Sequence, residues 1–225
     1  VAISNGTSAL HAACHAAGIT VGDEVITTPI TFAASANCIL YCGGTPVFAD
    51  INPDTWNIDP SDIERKITKK TKAVIAVDFT GQAVQLDEIK EICKKHKLIL
   101  IEDAAHSIGT KYKEAYIGSI ADLTTFSFHP VKTITCGEGG AILTNNEKFY
   151  KKMLLFRSHG ITREADLLTY TPFNGYNEQI DLGYNYRLTD VQAALGISQL
   201  KKIDDFSTRR KEIVKQYDEA FSTIP

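Results

Sequence analysis

The sequence predicts an α/β fold on a parallel or mixed sheet, and two observations carry that prediction. Short β-rich runs alternate with helical patterns of apolar spacing along 225 residues. A content of 44% hydrophobic and 23% charged residues is that of an ordinary globular protein, with length enough for one large core and a second small domain. Disorder, collagen and small disulfide scaffolds are excluded by the same figures. With 24 basic against 27 acidic side chains the net charge is −3, which argues against nucleic acid or an anionic membrane as the main partner. The longest apolar stretches, such as Leu98 to Ile101 and Ala73 to Val77, fall far below the roughly 20 residues a membrane helix needs.

Taken in order, Val1-Ala2-Ile3 reads as the tail of a strand, and with a first residue other than Met the chain is expected to be an excerpt of a longer protein. Leu10, Ala13, Cys14 and Ala17 recur at the spacing of one helix face. Strands are expected at Glu24 to Thr27, Thr45 to Ala49, Ala73 to Val77, Leu98 to Glu102, Leu123 to Ser127 and Ala141 to Thr144. Leu86, Ile89, Ile92, Cys93 and His96 mark a second crossover helix. Ser61 to Glu64 and Thr189 to Gln192 both have capping-box spacing, and the second opens a helix with Val191, Ala194, Leu195 and Ser198 on one face. From Arg157 to Asp181 periodicity fails and a long loop is expected, of the kind compact domains keep mainly for function. Lys201 to Ser222 reads as a charged helix. Five cysteines without a CxxC pair fit idle thiols in a reducing cytoplasm, and neither a disulfide framework nor a metal site.

Three segments carry chemistry. Ser4-Asn5-Gly6-Thr7-Ser8 joins a strand end to a helix start, where free N–H groups and the positive dipole end favour an anion; a simple N-cap would look the same. Ile99 to Asp103 is an apolar strand ending in two carboxylates at the carboxyl edge of the sheet, an acid that could hold a metal, a ribose or a protonated ring nitrogen. His106 follows close by. In Phe126-Ser-Phe-His-Pro-Val-Lys132 and the turn Thr133 to Gly140, a lysine lies among glycines and hydroxyls. Exposed, it is a solvated surface lysine; enclosed, its amine can form a Schiff base with a carbonyl. Together, an anion cradle, a strand-end carboxylate and a loop lysine meet the needs of pyridoxal 5′-phosphate (PLP) for its phosphate, its ring nitrogen and its aldehyde. No GxGxxG or GxxxxGK[ST] supports the rival of an unrelated nucleotide-binding protein.

SNGTSALH, EDAAHSIG, SFHPVKTITCGEGGA, FRSHGITR and GYNYRLTDVQAA, in this order and spacing, resemble the DegT/StrS-like nucleotide-sugar aminotransferases of PLP fold type I. The resemblance implies a three-layer α/β/α sandwich around a seven-stranded, mostly parallel mixed sheet. It implies a large PLP-binding domain over residues 1–200, with 201–225 beginning the connection to a C-terminal small domain, and a family N-terminal segment ahead of residue 1.

Lys132 matches the Schiff-base lysine that also shuttles a proton, and Asp103 the carboxylate on the pyridine nitrogen. His106 falls beside the ring's 3-hydroxyl side, and Phe32 matches the aromatic residue stacked on the ring, with core packing as its alternative. Thr7, Ser8 and Ser127 match phosphate ligands, and Asn185 a phosphate contact given by the other subunit of a homodimer. Related dehydratases carry histidine in place of the lysine, so Lys132 favours transamination: L-glutamate would give its amino group to a keto group of a nucleotide-linked deoxysugar. The Phe-His-Pro-Val-Lys form resembles members acting on a UDP-4-keto-6-deoxy-N-acetylhexosamine for surface glycans. Arg157, His159, Arg163, Tyr184 and Arg187 are candidate sugar-nucleotide contacts or salt-bridge residues. A non-catalytic PLP- or nucleotide-sugar-binding regulator of the same fold is the alternative function.

Overall fold

The computed structural model describes residues 1–170 and 173–224. In chain order the elements are β1 (Ala2–Ile3), α1 (Gly6–Ala16), β2 (Glu24–Thr27), α2 (Ala34–Tyr41), β3 (Thr45–Phe48), α3 (Pro60–Lys66), β4 (Thr71–Val77), α4 (Leu86–His96), β5 (Ile99–Asp103), β6 (Lys111–Tyr112), β7 (Ala115–Tyr116), β8 (Leu123–Ser127), β9 (Gly140–Leu143), α5 (Glu147–Phe156), β10 (Ile161–Thr162), β11 (Glu178–Gln179), α6 (Asp190–Leu200) and α7 (Ile203–Phe221). Seven strands form one sheet in the order β1-β9-β8-β5-β4-β2-β3. Its ladders are parallel except that β9 runs against both neighbours, β1 and β8. The expected mixed, mostly parallel sheet is therefore present.

Strand alternation divides the core between the two faces. Val25, Ile75 and Ile101 point into one apolar cluster with Ala9, Ala13 and Met153 of α1 and α5. Their neighbours Ile26, Val74 and Leu100 point into the other, with Ile63 of α3 and Leu86 and Ile89 of α4. Both faces are thus covered by helices, which is why these strands read as near-continuous apolar runs and give an α/β/α sandwich.

Two local expectations need correction. The capping box at Ser61 to Glu64 is not the start of α3: Asp59 is the N-cap, its side chain accepts the Ser61 N–H, and Pro60 occupies the first turn. Proline's fixed φ and missing N–H suit that position, so the helix begins before Ser61. The loop from Arg157 to Asp181 contains a two-stranded antiparallel ribbon, β10 with β11, too short to leave a periodic signal. The box at Thr189 is present, with Thr189 and Gln192 capping each other's backbone. No helix among the described residues is long and apolar enough to cross a membrane.

Candidate active site

The ends of β5 and β8 and the starts of α1 and α2 gather the site at the carboxyl edge of the sheet, where α/β folds collect ligands. The N-terminus of α1 arrives first. Asn5 caps it: its side chain accepts the Ser8 N–H at 2.8 Å, while the Ser8 hydroxyl accepts the Asn5 N–H at 3.1 Å and donates to the Asn5 carbonyl at 2.8 Å. Ser8, expected as an anion ligand, thus has both its N–H and its hydroxyl engaged in the cap. The N–H groups of Gly6 and Thr7 find no acceptor among the described residues, and at a helix start they present two donors and a positive dipole end.

Close packing aims that terminus at β8. A Cβ on Gly6 would lie 2.8 Å from Ser127 Cβ and 3.0 Å from Ser127 Oγ, so only glycine lets α1 approach this strand end. Gly140 plays the same part on β9, where a Cβ would meet the Asn5 carbonyl oxygen at 2.6 Å. Of the three glycines in the lysine turn, Gly140 is thus explained by contact with the cap of α1, whereas a Cβ on Gly139 would meet Cys136 Sγ within the turn and Gly137 takes a positive φ.

Lys132 rides on a loop closed upon Phe128. The Phe128 N–H donates to the Gly139 carbonyl, and the Phe128 carbonyl accepts from the Cys136 N–H and the Thr135 hydroxyl. The Lys132 N–H closes a turn on the His129 carbonyl at 2.9 Å. The half-buried ammonium lies 2.5 Å from Nε2 of His106. Burial holds the lysine below its ordinary range, with Asp103 pulling the other way. Burial and then the lysine charge hold His106 down as well, so the imidazole is the neutral partner that accepts.

Asp103 ends β5 and is 6% exposed. Ser35 of α2 donates to its Oδ2 at 2.7 Å, and the Ala105 N–H donates to Oδ1 at 3.3 Å. Burial pushes this carboxyl up; the two donors and the Lys132 charge offset part of that rise by favouring the anion. Nothing in the sequence singles out Ser35 and its neighbour Thr31 beyond a pair of hydroxyls flanking Phe32 at helix spacing.

Thr7, Ser8, Phe32, Asp103, Ser127 and Lys132 all line one cavity of about 630 Å³. Phe32 is 77% exposed, so core packing is not its role; its ring forms part of the cavity wall. His106 lines an adjoining cavity of about 380 Å³, whose wall shares Phe32, Asp103 and Lys132. Asn185 is exposed, pairs through its backbone with Ser158, and lines neither cavity of its own chain. Tyr186, one residue on, does line the larger one. Among the candidate sugar contacts, Arg157 donates to the Ala2 carbonyl and so ties α5 to β1; it, His159, Arg163, Tyr184 and Arg187 line neither cavity. No group of three or more metal-ligating side chains occurs among the described residues.

Comparison with known proteins finds relatives along nearly the whole chain. The UDP-4-amino-4,6-dideoxy-N-acetyl-beta-L-altrosamine transaminase of Campylobacter jejuni is 46% identical over 222 residues, covering 97% of this chain and 56% of that protein. The GDP-perosamine synthase of Escherichia coli O157:H7 is 42% identical, covering 99% and 58%. Among solved structures, Helicobacter pylori PseC, an aminotransferase involved in the biosynthesis of pseudoaminic acid, superposes with a TM-score of 0.91 at 38% identity, covering 100% of this chain and 59% of that one. Bacillus subtilis NtdA, solved with bound cofactor PMP, superposes with a TM-score of 0.80 at 37% identity, covering 90% and 44%. The chain spans under three fifths of the length of these curated relatives, 56% and 58%. Residues 1–225 match one family throughout, and the chain belongs to the DegT/DnrJ/EryC1/StrS aminotransferase family.

Proposed function

We propose that the chain is the cofactor-binding part of a PLP-dependent sugar aminotransferase, which moves an amino group from L-glutamate to a keto group of a nucleotide-linked sugar, with a UDP-4-keto-6-deoxy sugar as acceptor. The observation that carries this is the convergence of Lys132, Asp103 and the open N-terminus of α1 on one cavity of about 630 Å³.

The residues fit the cofactor. Gly6 lets the start of α1 close on Ser127, and two unpaired N–H groups beside the Ser127 hydroxyl suit a phosphate. When bound, PLP supplies a carbonyl that captures amines and a protonated ring that withdraws electrons from a breaking bond. Phe32 offers an aromatic face for the ring and shields it from water on that side. Asp103, as the anion, holds a proton on the ring nitrogen. Lys132 Nζ is the group that takes a proton and returns it, and burial lowers its proton affinity, which favours the neutral amine. His106 keeps that amine oriented by accepting a hydrogen bond from it.

Residues 1–200 form the large domain in this reading, with 201–225 leading to a small domain, and Asn185 of a second copy completes the phosphate site in a homodimer. Five free cysteines support a reducing compartment, the cytoplasm. The reading is tested by the visible absorption of the purified protein with PLP, before and after L-glutamate. A band that glutamate bleaches is expected. A band that persists would favour a PLP-binding regulator or another amino donor, and no band at all would refute the proposal.

A further inference from the structure

Resting on the aminotransferase reading above, we propose that Ser35 is a positioning residue: its hydroxyl fixes the Asp103 carboxylate and, with Thr31 behind it, controls how firmly that carboxylate holds a proton on the cofactor's ring nitrogen. Three observations lead there. Ser35 is fully buried on the first turn of α2. Its hydroxyl lies 2.7 Å from Asp103 Oδ2 and 2.8 Å from the Thr31 hydroxyl. Its N–H donates to the Phe32 carbonyl at 3.1 Å, so one short turn both sets the aromatic wall and reaches the carboxylate.

Proton counting fixes the direction of the relay. A serine hydroxyl carries one proton, and an ionised carboxylate only accepts. Ser35 therefore donates to Asp103, and Thr31 must be the donor to Ser35. A hydroxyl that has itself accepted a hydrogen bond is a better donor, so Thr31 strengthens the bond that Ser35 makes. Asp103 is otherwise served only by the Ala105 N–H at 3.3 Å, which makes Ser35 its shorter and better contact among the described residues. Removing that donor disfavours the anion and leaves Oδ2 without the contact that aims it, and a carboxyl that is neutral or turned away no longer stabilises a protonated ring nitrogen.

The test uses the PLP-loaded protein with nitrogen-15 in the cofactor ring, whose chemical shift reports protonation of that nitrogen whether or not the enzyme turns over. In Ser35→Ala the ring nitrogen should lose its proton about one pH unit lower than in wild type, with about tenfold weaker retention of PLP. Thr31→Val, at a half-exposed position where folding is not at risk, should move the shift in the same direction by less. Ser35→Thr, which keeps the hydroxyl, should restore the wild-type titration. If wild type binds PLP and both Ser35→Ala and Thr31→Val titrate like it, the proposal fails while the aminotransferase reading stands. If wild type binds no PLP, both fail together.

Discussion

Adding one methyl group at Gly6 should separate the packing account of this site from a looser one. In Gly6→Ala the new Cβ would lie 2.8 Å from Ser127 Cβ, about 1 Å inside the optimal separation of two carbon atoms. Helix α1 must retreat from β8 by a distance of that order, and overpacking of this kind costs about 1–3 kcal/mol. The gain from alanine in a helix offsets at most about 1 kcal/mol. With the full offset the net loss is about 0–2 kcal/mol, which corresponds to a melting temperature lower by up to about 8 °C for a chain of this size. Retreat of α1 also carries the Gly6 and Thr7 N–H groups away from Ser127, so PLP affinity, read by fluorescence titration, should fall about tenfold or more. Gly196→Ala is the control, since its Cβ would meet only Cys136 Cβ at 3.6 Å within α6 and should raise the melting temperature slightly. A Gly6→Ala protein that melts like wild type and binds PLP equally would refute the close-approach argument.

Other consequences follow from the same structure. Phe32→Ala should cost under about 0.5 kcal/mol in a denaturant melt because the ring is exposed, yet weaken PLP binding about tenfold. Asp59→Ala should cost about 1 kcal/mol, as loss of an N-cap does, while Ser61→Ala costs under about 0.5 kcal/mol; the reverse order would restore the cap to Ser61. Glu102, buried behind Asp103, is pushed by burial up to about 8. A raised carboxyl pKa means that the folded chain keeps a proton the unfolded chain releases. Stability should therefore fall as pH rises from about 4.5 towards 8, and Glu102→Gln should flatten that part of the melting-temperature profile.

The parts legible in the sequence are those that local physics decides. Leu123–Ser127 and Glu24–Thr27 stand where the β-rich runs ended, because both are buried in a sheet covered on two faces. Strand β5 extends one residue past its expected end, to Asp103, since pairing with Val77 of β4 carries the ladder on. At the start of α3, Asp59 and Pro60 outcompete a well-spaced Ser61 and Glu64. Lys132 and Asp103 could be named from pattern and resemblance, but Ser35 could not: its partner is 68 residues away, and only the fold brings them together. The glycines told a similar story. The sequence places Gly6 in an anion-binding helix start, whereas the fold adds a requirement from Ser127, which leaves no room for a Cβ there.

The central claim is that Lys132, among 24 basic side chains, is the one that receives the cofactor. Borohydride reduction of the PLP-loaded protein, followed by peptide mass mapping, tests it most directly, because reduction converts a carbon–nitrogen double bond into a stable link at whichever amine formed it. The account predicts one dominant phosphopyridoxyl adduct on Lys132, absent from Lys132→Ala. Label spread over surface lysines such as Lys69, Lys70 and Lys72, with Lys132 unmodified, would contradict it.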